Sequence, residues 1–260
     1  MLVSENWVLF PFSPLDISLE RAAKGLPLVA WNDRPTKIAL LPRNGDTSKL
    51  RWLEMPGRHM FHELNMWEEG DKLIADVATA EGTALFPNAD GSTNNHADTA
   101  LELRRWTIDL SGATNDVKED TLNDRDIQFP RPDDRFMTRQ TRHGYANANQ
   151  NSVDGRIDGM DSVIHFDTAT GKEDIYHFGN GAACGELIFA PKLGSTGEGD
   201  GYAMTLVRPP NSSRTELVIF DAQDLAAGPL ARAIVPYGIP SGFHCNFYSA
   251  ESPLYADALA

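Results

Sequence analysis

Cysteine is scarce in this 260-residue chain: only Cys184 and Cys245 occur, which excludes a disulfide framework and any all-cysteine metal cage. Both read as small apolar core residues, with a spatial pair between them left open. Basic charge is also short. With 23 Lys and Arg against 37 Asp and Glu the formal charge is −14, so phosphate backbones and anionic headgroups are repelled and nucleic acid is excluded as a partner. No apolar run approaches the ~20 residues of a membrane-spanning helix, because Pro, Asp or Arg interrupts each greasy stretch. The first twelve residues lack a basic leader region and a small-residue cleavage site, which argues against secretion and for a reducing cytoplasm. Histidine is missing from everything before His59.

What is present is enough apolar content, 41%, for a sizeable core, arranged in short runs of Val, Ile, Leu, Phe, Tyr and Thr between turn residues. Helical periodicity is rare, so the chain is expected to be all-β, as one domain over residues 1–260. Expected strands are 6–12, 36–41, 72–79, 101–110, 162–167, 173–178, 187–191, 202–207, 216–221 and 231–235. Three of them end in an apolar residue followed by Asp and a turn, at Asp109, Asp167 and Asp221. A spacing of 50 to 60 residues fits the blades of a β-propeller with decorated loops. The stretches 87–98 and 145–159, rich in Asn, Gly, Asp and Ser, read as loops. The apolar strand 6–12 starts close to Met1, where chain ends are normally frayed and polar, and reads as a cut terminus.

Imidazole is the usual nitrogen ligand of iron, copper and zinc, and its second nitrogen needs an acceptor to hold the ring. Alone, His62 is as readily a structural strand residue. Its surroundings decide otherwise: Phe61-His62, then Asn65, then Trp67-Glu68-Glu69-Gly70-Asp71 and an apolar strand. Further on come Ile127-Gln128-Phe129-Pro130-Arg131, Gly185-Glu186-Leu187-Ile188-Phe189, and Ile239-Pro240-Ser241-Gly242-Phe243-His244. In order and spacing these motifs resemble the carotenoid cleavage oxygenase family, which includes the retinal-pigment isomerohydrolase, apocarotenoid oxygenases and stilbene-cleaving (lignostilbene) dioxygenases. The resemblance runs from near residue 1 to about Phe247.

The resemblance implies an incomplete seven-bladed propeller made of C-terminal blades, and a non-haem Fe2+ site. His62 and His244 would be two of four histidine ligands, Glu186 the acceptor that orients His244, and Gln128 the acceptor for His62. Gln128 departs from the family pattern, which has glutamate there; an amide accepts the imidazole N–H but adds no negative charge. The other two ligands would precede Met1. The implied reaction is oxidative cleavage of a conjugated C=C bond into two carbonyl products, on an apocarotenoid or, from the run 129–135, a stilbene-like substrate. The implied partners are an apolar small molecule and dioxygen. Two histidines alone bind a divalent metal weakly, so this chain by itself is expected to be inactive. It would be completed by an N-terminal half or self-associate through open strand edges, and peripheral membrane attachment of a longer form stays open. The alternative is a non-catalytic propeller remnant or binding module.

Other constellations are weaker. His96-Ala97-Asp98 with His143 and Arg156 resembles a two-histidine, one-carboxylate iron site, but His96 lies in a loop-like segment with no flanking strand pattern. His59 and His62 would share a face only in a helix, and His165 and His177 read as structural residues of a hairpin. The pairs Glu68-Glu69, Glu119-Asp120 and Asp133-Asp134 read as solvated turn carboxylates. Some of the aromatics, Trp7, Phe10, Phe12, Trp52, Trp106, Phe189 and Phe247, could line an apolar tunnel, most being core.

Overall fold

A computed structural model describes residues 1–149, 160–240 and 242–250. Its strands form four successive antiparallel sheets, taken in chain order. Sheet I contains β1 (Leu2–Val3) and β2 (Trp7–Phe12); a side hairpin of β3 (Leu15–Ile17) and β4 (Val29–Trp31) follows, and β5 (Thr36–Pro42) and β6 (Arg51–Met55) complete the order β1-β2-β5-β6. Sheet II is built from β7 (His59–Glu69), β8 (Lys72–Ala80), β9 (Glu102–Asp109) and β10 (Val117–Asn123). Sheet III has β11 (Ile127–Pro132), β12 (His143–Ala148), β13 (Ser162–Asp167) and β14 (Lys172–His177). In sheet IV, β15 (Ala183–Cys184) and β16 (Ile188–Pro191) both pair with β17 (Gly201–Arg208), which continues to β18 (Thr215–Asp221) and β19 (Ala231–Val235).

Period-2 alternation drives this packing, because each strand sends its apolar residues to a neighbouring sheet. Leu9, Ile38, Leu40 and Leu53 of sheet I meet Met66, Leu73, Val77 and Trp106 of sheet II. From sheet II, Leu64, Ala78 and Leu103 meet Ile127, Ala146, Ile164 and Phe166 of sheet III. Tyr145 and Val163 on the opposite side of sheet III meet Leu187, Ala203, Val218 and Phe220 of sheet IV. Each fully buried large aliphatic side chain contributes roughly 1.5–3 kcal/mol, so three continuous cores hold the sheets face to face. Consecutive four-stranded sheets packed in this way are the blades of a propeller. β11 lies against both β7 and β16, which brings the first strands of three blades together.

All ten expected strands are present, with no end shifted by more than one residue. The Asp turns mark one recurring joint, from the penultimate strand of a sheet to its last. Asp109 accepts hydrogen bonds from the backbone N–H of Ser111, Ala113 and Thr114, Asp167 from Ala169 and Thr170, and Asp221 from Gln223. Such Asx turns satisfy the backbone where the ladder ends. One expectation is corrected: 145–148 is not loop but the end of β12, a central strand, while 150–159 lie outside the described residues. In the stretch 87–98 a short helix, α1 (His96–Thr99), begins at its end.

Candidate metal centre

Strands β7 and β11 and the link between β15 and β16 supply His62, Gln128 and Glu186, and each is irregular where it does so. Along β7, His59 and Met60 pair with Ala80 and Thr79, yet His62 pairs with Ala78 and Asn65 with Asp76, so Phe61 and Leu64 are extra residues. Bulges re-aim side chains and recur beside functional sites. The turn that closes β7 onto β8 uses Gly70 at φ 59°, a conformation open to glycine without steric cost. In β11 the pairing with β12 shifts between Gln128 and Arg131, around Phe129, which holds φ 53° in the left-handed region that bulky residues rarely enter. Between Cys184 and Ile188 the chain places three residues where β17, between their partners Val207 and Met204, places two. Glu186 sits in that bulge, 2% exposed.

The two imidazoles expected to converge do so. The ring centroids of His62 and His244 lie 5.5 Å apart at 75°, and Phe129 stands 4.7 Å from the first and 5.4 Å from the second. Phe61 covers His62 from another side at 4.5 Å. Burial pushes the His62 imidazole down to about 4, with a smaller push from His244 and from His59. It is therefore a neutral nitrogen donor at any ordinary pH. The Gln128 amide, 4% exposed, lies close enough to oppose part of that shift. Even so, Gln128 Oε1 and His62 Nδ1 are both buried without a hydrogen-bond partner of normal geometry. The pair therefore approaches without completing the bond expected of it.

His244 is held differently. It lies on the irregular segment after β19, its side chain 61% exposed, with Nδ1 3.5 Å from Glu186 Oε2. The same carboxylate oxygen accepts the Cys245 backbone N–H at 2.6 Å. Glu186 Oε1 accepts from Arg131 Nη1 at 3.2 Å, and Arg131 Nη2 donates to Asn246 Oδ1 at 3.1 Å. One buried carboxylate and one arginine thus strap the His244 segment to sheets III and IV. Beside it opens an apolar cavity of about 550 Å³, whose walls include Phe61, Leu85, Phe129, Ile239 and Phe243, with Glu186 and His244 among its polar lining.

The donor set suits a metal as a pair. A bound nitrogen lies about 2.0–2.1 Å from zinc, and a similar bond here would put each ring centroid about 3.2 Å from a shared ion. Two rings meeting at 90–120° would then stand about 4.5–5.5 Å apart by the same bond length, a range whose upper end the observed separation reaches. Among the described residues, no group of three or more His, Cys, Asp and Glu is placed to close round an ion.

The other candidates go elsewhere. His59 is 8% exposed, with both ring nitrogens unpartnered; it stacks on Phe61 and is lowered to about 4 by burial. His143 Nδ1 meets His165 Nε2 at 2.8 Å between sheets III and IV, so His143 is committed to another imidazole, and Arg156 of the rival iron pattern lies outside the described residues. His177 contacts Ser162 and Asp161. The acid pairs are not simply solvated, which corrects that expectation. Glu68 binds Ser4 and Asn6, Glu119 binds Arg58, Arg104 and Trp106, and Asp133 binds Arg135, while their neighbours face outward. Cys184 and Cys245 are free thiols, raised to about 12 and about 11 by burial, on either side of Glu186. Phe12 and Trp52 meet at 5.7 Å with rings tilted by 41°, both about half exposed on sheet I and outside the cavity lining. Sequence reasoning gave no role to Asn65, Arg131 or Asn147. Asn65 is buried and ties β7 to the 138–141 loop through the Arg139 carbonyl and the Thr138 N–H.

Residues 1–249 match the family model described as retinal pigment epithelial membrane protein. The chain belongs to that family. Members similar to it include an isoeugenol monooxygenase of Pseudomonas nitroreducens, 30% identical over 93% of this chain and 52% of the relative. A lignostilbene-alpha,beta-dioxygenase isozyme III of Sphingomonas paucimobilis is 32% identical, over 96% and 54%. The lignostilbene dioxygenase structure from Pseudomonas brassicacearum superposes with a TM-score of 0.86 at 32% identity, over 94% of this chain and 53% of that one. Cobalt-substituted apocarotenoid oxygenase from Synechocystis gives 0.81 at 26%, over 94% and 51%. The chain spans about half the length of these relatives and corresponds to their C-terminal part. Among the described residues no helix is long and apolar enough to cross a membrane.

Proposed function

We propose that this chain carries the C-terminal half of a non-haem Fe2+ site, with His62 and His244 as ligands, in an oxygenase-type protein that cleaves a conjugated C=C bond. One alkene and one dioxygen would yield two carbonyl products. The observation that carries the reading is the convergence of the two imidazoles, with Glu186 beside His244 and both of those residues lining an apolar cavity. Bound iron would supply the redox chemistry by which dioxygen attacks the alkene. The chain's own part is positional: burial keeps His62 neutral, Glu186 and Arg131 hold His244 in place, and Phe61, Phe129 and Phe243 offer an apolar wall to a flat conjugated substrate while displacing water. A stilbene-like substrate is favoured by the lignostilbene and isoeugenol relatives, which share 30–32% of residues with this chain. Apocarotenoids are the second substrate class.

With only two imidazoles at the site, the chain alone is proposed to bind iron weakly and to lack activity. The further donors would come from polypeptide outside these 260 residues. Exposed Phe10, Phe12 and Trp52 on the outer face of sheet I support self-association of the isolated chain. A second reading, a propeller module without catalysis, is favoured by the unfinished bond between Gln128 and His62. Anaerobic Fe2+ titration separates the two. The first reading expects weak 1:1 binding that needs both His62 and His244; no binding that depends on either residue leaves the second.

A further inference from the structure

We infer that Asn147 is the positioning residue that aims Glu186 at the His244 segment. The inference rests on the proposed role of Glu186. Asn147 is the cross-strand partner of Gln128 in sheet III and is 0% exposed. Its side chain reaches across to the bulge between β15 and β16 and grips both flanks of Glu186. Nδ2 donates to the Gly185 carbonyl at 2.6 Å, and Oδ1 accepts the Leu187 N–H at 3.1 Å. A side-chain amide carries a donor and an acceptor in one rigid plane, so a single residue satisfies the peptides before and after Glu186. Nδ2 also lies 3.1 Å from Cys184 Sγ, and Thr205 Oγ1 donates to the same Gly185 carbonyl at 2.6 Å.

The grip is needed because the bulge removes ladder partners. Between Cys184 and Ile188 only Gly185 N–H keeps a backbone acceptor on the neighbouring strand, the Leu206 carbonyl. Without Asn147, the Leu187 N–H and one lone pair of the Gly185 carbonyl would be buried unsatisfied, and the peptide planes around Glu186 would turn to find other partners. The carboxylate would leave the Cys245 N–H, Arg131 and His244 together. Asn147 therefore couples the sheet III face that carries Gln128 to the carboxylate under His244, and joins the two halves of the site through one side chain.

The experiment is amide hydrogen exchange at Cys245, whose N–H bonds to Glu186, in the wild-type chain and the variants Asn147→Leu and Asn147→Asp. Phe220→Leu, which loosens the same core between sheets III and IV, serves as the stability-matched control. The expected result is exchange at Cys245 roughly tenfold faster in Asn147→Leu, a smaller gain in Asn147→Asp, which keeps the acceptor for Leu187, and a rate near wild type in Phe220→Leu. Wild-type exchange in whichever Asn147 variant folds, or equal acceleration in Phe220→Leu, overturns the inference. Anaerobic Co2+ titration of the same proteins keeps the two ideas apart. Failure of the wild-type chain to bind would sink the metal reading, whereas the exchange result decides the role of Asn147 in either case.

Discussion

The two halves of the proposed site are held by opposite means. His62 stands on β7, paired with β8 and packed against β11, between two phenyl rings, in a strand that also anchors the N-terminal segment through Glu68. His244 hangs on an irregular, largely exposed segment that reaches the sheets chiefly through Glu186 and Arg131. One imidazole is fixed by cooperative sheet structure, the other by a few polar bonds to a buried carboxylate. The first half should thus fail only with global unfolding, and the second through a single residue.

The sharpest way to break that contrast is Glu186→Ala. It leaves the Cys245 N–H without its acceptor and takes Glu186 from Arg131, which keeps Asp134 and Asn246, and removing one partner of a buried pair costs about 3–5 kcal/mol. Arg131 remains partly solvated, so the lower figure is expected. Denaturant melts should show this loss, and metal affinity should fall by ~10- to 100-fold, with β7 amides still protected as in wild type. Loss of β7 protection would show that the halves are not held independently.

Acidification should strike the sheets. Burial lowers His59 and His165 to about 4, from an ordinary 6.5, so the unfolded chain binds protons that the folded chain refuses between those limits. Their contribution is complete above about pH 6.5 and drains away as pH falls toward 4, on the order of 3 kcal/mol for each histidine. Equilibrium melts at pH 7, 5.5 and 4.5 check the sign. Stability that rises on acidification would contradict it.

A smaller effect would strengthen the strand-held half. Gln128→Glu places a carboxylate beside the unpartnered Nδ1 of His62 and should raise affinity for Co2+ by roughly tenfold, at some cost in stability from a charge introduced at 4% exposure. Unchanged affinity would mean that residue 128 does not act through His62.

The sequence was most legible where its pattern is regular. Strands such as 162–167 and 231–235 are short runs bounded by turn residues, and their limits match the structure. Strands β7, β11 and β12, which carry residues of the site, were among those left out of the expected set. β7 holds two bulges, so its apolar residues lose the period of two; β11 contains Pro130 and Pro132; and β12 ends in Asn147 at the head of an Asn-rich stretch that imitates a turn. The meeting of His62 and His244 was readable only through family resemblance, because no local rule links residues so far apart in the chain. Asn147 escaped altogether, since its partners Gly185 and Leu187 become neighbours only after sheets III and IV pack.

The most direct test of the central claim is a titration of the intact chain with Co2+ under anaerobic conditions, followed through the paramagnetically shifted imidazole signals in proton NMR. Sharing of one ion by the two rings predicts that the His62 and His244 signals shift together at the same metal concentration, and that His62→Ala abolishes the shift at His244. Independent shifts of the two rings, or a shift confined to His143, His165 or His177, would contradict it.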